Sequence, residues 1–591
     1  MELKTDRRRK YCRRWAEKPV FFPVPLLRKL PGPGTYNHPV VQGLLKVRVV
    51  VASLLLALLA AAGAAARAQE PTDTKPAEPA DVHGRLLLVL PFENRSGVGN
   101  LDWMSEAFPD ILNRRLNSAG FLTIGRGDRL YAFDHLGLPG NLEPTRATAI
   151  RIAQMLDADY VVFGHYAMGA SQTANQIQAT AEILDVTALK LGPALSESGT
   201  MDRLPDMINR LAWQVTRQID PTYGVEEQTF VAADRDLPET AFQDYLQGVV
   251  GDSTQQDIDD LRDALKLDPQ FAPALLSLGR SYFSNQDYDQ AAATLGRIPQ
   301  DNRNALEAEF YRGLAFFYTG NYKDAEDAFA FVGNQLPLPE VVNNEGVAES
   351  RRGKDAGALF QQAVEADPRD PDYHFNLAVA LAHRGDKAGA EKELEEALKL
   401  HPQDDEARQF AAQLKAPPVA DPDPGHAVAD PDQQGPLERI KRGYSEAGFR
   451  QAAFELEQVQ QMRLASLPPT QRSEALVKDG DQFFQRGLVL EAEREYREAL
   501  AADTGSAMAH AGLAAVRERD GDTEAARQEA HASIQLRPNV PAYLVLARLD
   551  LQANHLGAAA GDVGAALKVD PANANAKGMK LALAQRGQAT P

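Results

Sequence analysis

The stretch AVALAHRGDKAGAEKELEEALKLHP at residues 378–402 decides the fold of most of this chain, because its pattern returns at residues 480–504 as GDQFFQRGLVLEAEREYREALAADT. Both stretches begin with a small residue and have a glycine seven positions later and an alanine twelve positions later. Apolar residues follow at offsets 16 and 19, and the first stretch ends in proline. Glycine allows a tight turn and proline ends a helix, so the pattern predicts two short helices joined by a turn.

Copies of this pattern recur with a regular period, since Pro368 and Pro402 are 34 residues apart and Pro538 and Pro571 are 33 apart. The array resembles the tetratricopeptide repeat, a helix–turn–helix unit of this length that stacks into a solenoid. Besides the units that fit the pattern well, residues 241–269 and 437–467 are interpreted as degenerate units. The prediction is an all-α solenoid in two blocks, at residues 239–415 and 437–587.

The two predicted blocks are separated by residues 416–436. This stretch contains DPDPG at 421–425 and DPD at 430–432, and it has no apolar periodicity. Proline and glycine interrupt regular structure, so the stretch is predicted to be a linker.

Residues 85–223 have a different pattern, in which short apolar runs alternate with helical periodicity. The runs at 86–90 and 160–163 predict strands buried on both faces, and residues 176–186 predict a longer strand. Helices are predicted at 103–118, 145–156 and 207–219. Strands that alternate with helices predict an α/β domain in front of the solenoid.

The opening strand of this domain reads VLPFENRSG at residues 89–97, and a later helix-to-strand unit reads IAQMLDADYVVFG at 152–164. These motifs resemble the amino-terminal domain of TolB, a domain type that also occurs in bacterial proteins with tetratricopeptide arrays. The resemblance covers most of residues 85–223 and implies an interaction or regulatory module without a common catalytic centre. The β-propeller that follows this domain in TolB is missing here.

The first 48 residues are rich in lysine and arginine and are predicted to be a basic preface that is either non-native or disordered. The hypothesis places the true start of translation near Leu45 or Val47. Residues 69–84, with several prolines among charged residues, are predicted to be a tether to the first domain.

Residues 49–66 are apolar or small apart from Ser53, and a basic flank precedes them. With the small-x-small site that ends at Ala68, residues 49–68 are typical of a signal peptide cleaved after Ala68. Cleavage predicts a periplasmic or secreted protein with no stable membrane insertion. The alternative is a protein anchored to the inner membrane by residues 49–66.

The charge balance argues against nucleic acid as a partner. The chain has 63 Lys+Arg and 82 Asp+Glu, a formal net charge of −19. Loss of residues 1–68 removes 13 basic and 3 acidic groups, so the remaining chain would carry −29. A nucleic-acid binder needs a concentrated basic surface, so protein surfaces are the predicted partners.

Cofactor and metal motifs are absent from the sequence. The single cysteine, Cys12, cannot form an intrachain disulfide, and the eleven histidines include no His-Glu-x-x-His motif. Residues 96–99 (SGVG) lie between a strand and a helix, where backbone amides can bind phosphate, but the full glycine spacing and a lysine are missing. We therefore predict no cofactor, and an ordinary connecting loop at this position.

Three repeats carry two adjacent aromatic residues at the end of their first helix: Tyr282 and Phe283, Phe316 and Phe317, and Phe483 and Phe484. The second ring of each pair is predicted to turn towards the concave groove, with Arg280 beside it. Arg280, Phe283, Phe317 and Phe484 are therefore the predicted partner-binding residues. The alternative is that these rings are buried between neighbouring helices.

Chaperone-type arrays clamp a terminal carboxylate with lysine and asparagine, and this chain lacks those residues at the matching positions. The residues found there are Leu276, Arg280, Phe310, Leu314, Phe375 and Val379. A receptor for chaperone tails is therefore not predicted.

The sequence as a whole predicts a non-enzymatic exported scaffold or adaptor. Protein partners or peptides would bind in its tetratricopeptide grooves, and the α/β domain would be a further interaction module. The alternative, from another class, is a regulatory protein that senses a nucleotide or other ligand through the α/β domain.

Overall fold

The computed structural model describes residues 86–139, 145–168, 175–232, 237–251, 255–416 and 436–590. All of these belong to one of the two compact units of the chain, His83–Pro591. The predicted basic preface, signal peptide and tether lie outside the described residues. Within the described ranges, no helix is both long and apolar enough to cross a membrane.

The described chain begins with a seven-stranded mixed sheet. Its strands are β1 (Leu86–Val89), β2 (Glu93–Asn94), β3 (Leu122–Thr123), β4 (Tyr160–Met168), β5 (Gln176–Asp185), β6 (Lys190–Leu191) and β7 (Leu195–Thr200). The strand order is β3-β1-β4-β5-β6, with β2 also paired to β4 and β7 to β5. Strand β1 is parallel to β3 and β4, whereas β5 is antiparallel to its neighbours.

Helices cover both faces of this sheet, as the continuous apolar run of β1 requires. They are α1 (Met104–Ser118), α2 (Arg126–His135), α3 (Arg146–Met155) and α4 (Leu204–Ile219). Leu87 and Val89 are buried in the same cluster as residues of α1 and α4. Leu88 is buried on the other face in the same cluster as residues of α2 and α3. The predicted α/β domain is confirmed, while its resemblance to the TolB domain remains a prediction.

The rest of the described chain is helical. The first part contains α5 (Glu227–Ala232), α6 (Glu239–Val250), α7 (Gln255–Leu267), α8 (Ala272–Ser284), α9 (Tyr288–Leu295), α10 (Ala305–Tyr318), α11 (Tyr322–Gln335), α12 (Pro339–Arg351), α13 (Gly357–Ala366), α14 (Pro371–His383), α15 (Lys387–Leu400) and α16 (Asp405–Lys415). The second part contains α17 (Glu446–Ala465), α18 (Pro469–Gln485), α19 (Val489–Ala502), α20 (Ala507–Asp520), α21 (Thr523–Leu536), α22 (Val540–Gln552), α23 (Leu556–Val569) and α24 (Ala574–Gln585). We call α6–α16 the first block and α18–α24 the second block.

The repeat pattern has the structural role that its spacing predicts. A Cβ atom on Gly313 would lie 2.8 Å from the ring of Phe329, so the small residue lets the two helices of the unit approach closely. The glycine seven positions later, Gly320, has φ +79° and makes the turn between these helices. The predicted fold class, an α/β domain followed by a helical solenoid, is confirmed.

The structure differs from the sequence analysis at residues 437–467, which were interpreted as a degenerate helix–turn–helix unit. This stretch contains one helix, α17, and residues 436–445 before it have no regular secondary structure. The predicted linker lies mostly at residues 417–435, outside the described residues.

The second block packs against earlier parts of the chain. The guanidinium of Arg303, just before α10, donates to Ser118 Oγ of α1 at 2.6 Å and to Glu491 Oε1 of α19 at 2.9 Å. Thr229 Oγ1 of α5 donates to Asp520 Oδ2 at 2.8 Å, in a buried cluster of polar side chains. These bonds join the first block to the α/β domain and to the second block, and they join α5 to the second block.

Candidate functional site

The concave side of the first block holds a part of the chain itself. Residues 438–444, which we call the docked segment, cross the inner helices α12 and α14 and reach the amino terminus of α16. The segment follows Pro436 and Leu437 and continues into α17 through Ser445. The site is therefore a groove with an occupant of known sequence, ERIKRGY.

Two asparagines bind the main chain of the docked segment. Asn376 of α14 accepts from the N–H of Arg439 at 2.7 Å and donates to its carbonyl oxygen at 2.8 Å. Asn344 of α12 accepts from the N–H of Lys441 and donates to its carbonyl, both at 2.8 Å. Asn343 adds a second donor to the Arg439 carbonyl at 3.0 Å. These bonds go to groups that every residue except proline possesses, so they recognise an extended main chain and not a particular side chain.

The asparagine side chains are held in place by burial and by one another. Asn343, Asn344 and Asn376 are all fully buried. Asn376 Nδ2 also donates to Asn343 Oδ1 at 2.7 Å. The docked segment contacts these amides and supplies hydrogen bonds that offset their desolvation. The groove is therefore built to contain a peptide.

The side chain of Arg439 lies among carboxylates. Its guanidinium is 2.6 and 2.9 Å from the two oxygens of Asp404, 2.9 Å from Glu406 and 3.0 Å from Asp372. The guanidinium carbon lies 3.7 Å from the ring centroid of Phe375, so the cation also stacks on an aromatic face. Two hydrogen bonds from one guanidinium to one carboxylate, as between Arg439 and Asp404, strengthen the ion pair and fix the orientation of the arginine side chain.

The side chain of Lys441 also lies among carboxylates, at the amino terminus of α14. Its ammonium lies 2.7 Å from Asp370 and 2.7 Å from Asp372, and it lies 5.0 Å from the ring centroid of Tyr373. Between the two cations, Ile440 packs against the apolar cluster that contains Val347. Arg439 and Lys441 thus contact carboxylates, and Ile440 between them contacts apolar side chains. This alternation is typical of an extended chain, in which successive side chains point to opposite sides.

Helix capping explains why these carboxylates surround the groove. Asp370 and Asp404 are the N-caps of α14 and α16, and they accept from Asp372 N and Ala407 N at 2.9 and 3.0 Å. Asp372 and Glu406 lie in the first turn of these same helices. Acidic residues are favourable at a helix amino terminus, where the backbone N–H groups and the dipole are positive. The repeat brings successive amino termini to one side of the groove.

The charges within the site stabilise one another. Burial alone would raise the pKa of Asp372, but the ammonium of Lys441 and the guanidinium of Arg439 outweigh burial and hold that pKa below its usual value. Burial likewise opposes the charged form of Lys441, yet Asp372 and Asp370 raise its pKa above the usual value. Removal of one partner would leave the other charges partly buried and uncompensated, which is more costly than the loss of an exposed pair.

The ends of the docked segment make further contacts with the first block. The carboxylate of Glu438 accepts from Ser350 Oγ, and its main-chain carbonyl accepts from Arg351 Nη2 at 3.1 Å. The ring of Tyr444 meets Phe310 edge-on at a centroid distance of 5.0 Å. The N–H of Ser445 donates to Glu340 Oε1 of α12 at 3.2 Å.

The predicted partner-binding residues are spread over different environments. Phe283 is only 8% exposed and contacts the rings of Tyr288 and Tyr311. Phe317 is half-buried, with the guanidinium carbon of Arg351 5.9 Å from its ring centroid. Neither ring is among the groups that bond the docked segment.

Arg280 and Phe484 line two separate openings. Arg280, with 48% of its side chain exposed, pairs with Glu307 at 2.8 Å and lines a cavity of about 1120 Å³ between the α/β domain and the helical blocks. Phe484 lines a depression of about 400 Å³ on the second block, together with Met508 and Leu544. The assignment of these four residues to partner binding remains a prediction.

Sequence reasoning missed the asparagines and the carboxylates, although each set repeats. Asn344 and Asn376 both lie six positions after an N-cap, and Glu340, Asp372 and Glu406 all lie two positions after one. A comparison of the repeats at each helix position would have found both sets. The clamp comparison instead tested Phe375, one residue before Asn376.

Other chemistry has little support in the described residues. Within them, no cluster of three or more histidine, cysteine or acidic residues could hold a metal ion. In the loop at residues 96–99, Ser96 N donates to Asn94 Oδ1 at 2.9 Å and Val98 N donates to Ser96 Oγ at 3.1 Å. Two of the amides that could face a phosphate are thus already bonded.

Comparisons with known proteins agree on the repeats. Residues 347–405 and 478–541 match one model of the tetratricopeptide repeat, and residues 258–315 match another. No curated protein sequence matches the chain significantly.

Parts of this chain are similar to three solved structures. YrrB, described as a TPR protein with an unusual peptide-binding site, is 18% identical, with a TM-score of 0.28, over 30% of this chain and 93% of its own. MamA from Desulfovibrio magneticus RS-1 is 16% identical, with a TM-score of 0.26, over 31% of this chain and 99% of its own. The LpoB C-terminal domain from Salmonella enterica is 21% identical, with a TM-score of 0.17, over 20% of this chain and 83% of its own. From the family models and the helix pairs together, the helical part of this chain carries tetratricopeptide repeats, the units from which protein-interaction scaffolds are built.

Proposed function

We propose that this protein is a non-enzymatic scaffold that binds an extended segment of a protein in the groove of its first block. The observation that carries the proposal is the pairing of Asn376 and Asn344 with the N–H and carbonyl groups of residues 439 and 441. A main chain bonded at every second residue is a general mode of peptide recognition. The carboxylates around it supply the preference for particular side chains.

The test uses a synthetic decapeptide with the sequence of residues 436–445, PLERIKRGYS, labelled with a fluorophore. It is titrated into the full chain with Arg439→Gln and Lys441→Gln, changes that weaken the hold on the internal segment without altering the groove. We expect saturable binding by fluorescence anisotropy. The same chain with Asn344→Ala and Asn376→Ala added is expected to lose that binding at unchanged helix content. Absence of binding to the first variant, with its fold intact, would contradict the proposed function.

We also infer that the protein acts outside the cytoplasm. The inference rests on the sequence of residues 49–68, with its basic flank, apolar run and small-x-small site. Intact-mass measurement of protein from its native cell should give a chain that begins at Gln69. A mass that includes residues 49–68 would favour the membrane anchor, and cell fractionation would then locate the repeats.

A further inference from the structure

The docked segment belongs to the same chain as its groove, so the groove is occupied before any partner arrives. Arg439 and Lys441 supply the ion pairs of Asp370, Asp372 and Glu406 among the described residues. Asp404 faces Arg439 at 2.6 Å and, in addition, His401 Nδ1 at 4.0 Å. Loss of the segment would leave four carboxylates close together without their main cations.

The groove has separate means of binding the backbone and the side chains. The asparagines bond to main-chain atoms, so they accept many sequences. The carboxylates discriminate, because a neutral or acidic side chain at position 439 or 441 would leave buried charge without compensation. The apolar contact of Ile440 fixes the register between the two cations. A ligand must therefore present two cations two residues apart, with an apolar residue between them.

We propose that the first block is selective for an extended segment of the form basic–apolar–basic in a partner protein, and that residues 438–441 are an internal competitor for that groove. This inference rests on the proposed function and deepens it. Partner binding is then an exchange, in which the external segment replaces Arg439 and Lys441 on the same carboxylates. The partner segment would bind through the same ion pairs and main-chain hydrogen bonds that the internal segment makes.

The internal competitor lowers the apparent affinity by a predictable factor. A tethered ligand has an effective concentration on the order of 1 mM. For an intrinsic Kd on the order of 10 µM, the groove is open about 1% of the time, and the apparent affinity for an external segment falls about 100-fold. Wild-type protein should therefore bind external peptide weakly even though its groove fits the peptide well.

The experiment compares two labelled decapeptides on three full-length chains. The basic probe is PLERIKRGYS, and the acidic probe has glutamate in place of its arginine and lysine at the positions of residues 439 and 441. The chains are the wild type, the variant Arg439→Glu with Lys441→Glu, and the control Arg442→Glu. Arg442 lies over the ring of Tyr318, with its guanidinium carbon 5.3 Å from the ring centroid, and among the described residues the ion pairs of the four carboxylates with the segment are made by Arg439 and Lys441. Should the double-glutamate chain fail to fold, Arg439→Gln with Lys441→Gln removes the attraction without adding repulsion.

We expect the basic probe to bind the double variant at least 10-fold more tightly than it binds the wild type or the Arg442→Glu control. The acidic probe is expected to bind none of the chains.

Equal affinity of the basic probe for the wild type and the double variant would show that the internal segment does not compete, while the proposed function would survive. Equal binding of both probes to the double variant would overturn the selectivity. Concentration-dependent dimerisation of the wild type, abolished by the double-glutamate change, would identify a second copy of the chain as the occupant and overturn the assignment to a partner protein. Binding of neither probe to any folded variant would refute the proposed function as well.

Discussion

The two helical blocks have the same repeat but different concave surfaces. Two positions after the N-cap, helices α12, α14 and α16 of the first block carry Glu340, Asp372 and Glu406, while helices α20, α22 and α24 of the second block carry Met508, Pro541 and Asn575. Six positions after the N-cap, the residues are Asn344 in α12 and Asn376 in α14, but Gly512 in α20 and Val545 in α22. The first groove is polar, acidic and filled, whereas the second is a depression lined by both polar and apolar side chains, with no occupant among the described residues.

A single tyrosine explains part of this difference. A Cβ atom on Gly512 would lie 2.4 Å from the ring of Tyr496, whose hydroxyl donates to Asp481 Oδ1 at 2.7 Å. The ring therefore leaves no room for a side chain at Gly512, the position in α20 that matches Asn376 in α14 by its distance from the N-cap. The repeat fixes where the inner helices lie, and a few side chains on them decide whether the groove can bind main chain.

The largest difference in stability is expected between variants that lack an aromatic ring in the first block and variants that lack one in the second. Phe283→Ala removes a ring that is almost fully buried among other aromatic side chains, and we expect a loss of about 3–5 kcal/mol in the free energy of unfolding. Phe484→Ala removes a half-buried ring at an open depression, and we expect a loss of about 1 kcal/mol. Denaturant unfolding of both variants measures the difference. Equal losses would mean that the second groove is packed as tightly as the core of the first block.

A smaller effect should follow from filling the space beside Tyr496. Gly512→Ala places a methyl group against that ring, and we expect a loss of about 1–3 kcal/mol from overpacking. The control is Gly561→Ala in helix α23, where no atom lies within 4 Å of the new Cβ. That change should stabilise the protein by roughly 0.5–1 kcal/mol, since alanine is the better helix former. If Gly512→Ala proves equally stabilising, the tyrosine does not restrict the second groove.

The repeats were predictable from sequence because their signals are local. Gly313 lies against Phe329, sixteen residues later, and Gly480 lies against Tyr496 at the same offset, while the offset from Gly346 to Phe360 is two residues shorter. The strands of the α/β domain were predictable for the same reason, since β1 is apolar on both faces. Helix α2 and strand β7 were not anticipated, because their residues alternate too weakly between apolar and polar.

The docked segment was missed because its apolar residues imitate a helix. Leu437, just before the segment, and Ile440 and Tyr444 within it follow the spacing of one helix face, so their pattern is compatible with the degenerate repeat to which residues 437–467 were assigned. What fixes this segment is instead a set of partners far away in sequence, such as Asn376 and Asp404. A local sequence pattern does not show which distant residues a segment contacts. The long-range polar contacts of the docked segment could therefore not be predicted from the sequence.

A third prediction concerns the asparagines that distinguish the first groove. Asn376→Ala removes two hydrogen bonds to residue 439 and leaves the carboxylates in place. We expect the basic probe to bind the Arg439→Gln, Lys441→Gln chain about tenfold more weakly when this change is added, which corresponds to about 1.4 kcal/mol. Asn575→Ala, in the depression of the second block, is the matched control and should leave the affinity unchanged. Equal effects of the two changes would remove the distinction between the grooves.

The smallest effect is expected for pH within the neutral range. In the occupied groove the pKa of Asp404 lies below its usual value, because the guanidinium of Arg439 and the N–H of Ala407 outweigh the effect of burial. Asp372 is shifted in the same direction by Lys441 and Arg439. A carboxyl group whose pKa is lower in the bound state favours binding while it is ionised. Affinity for the basic probe should therefore be constant from about pH 8 to pH 5 and fall as the pH drops through about 4.

The pH profile also tests which group governs the groove. Asp370, Asp404 and Glu406 face the bound cations together with Asp372, and His401 lies near Asp404. Asp372→Asn should weaken binding at pH 7 and reduce its dependence on acid, because one of the titrating carboxylates is gone. A midpoint between about pH 6 and pH 7 would instead contradict control by the carboxylates, since the usual pKa values of aspartate and glutamate lie near 4. Control by the carboxylates requires that the affinity for the basic probe is constant between about pH 5 and pH 8. Circular dichroism at each pH checks that the fold is unchanged.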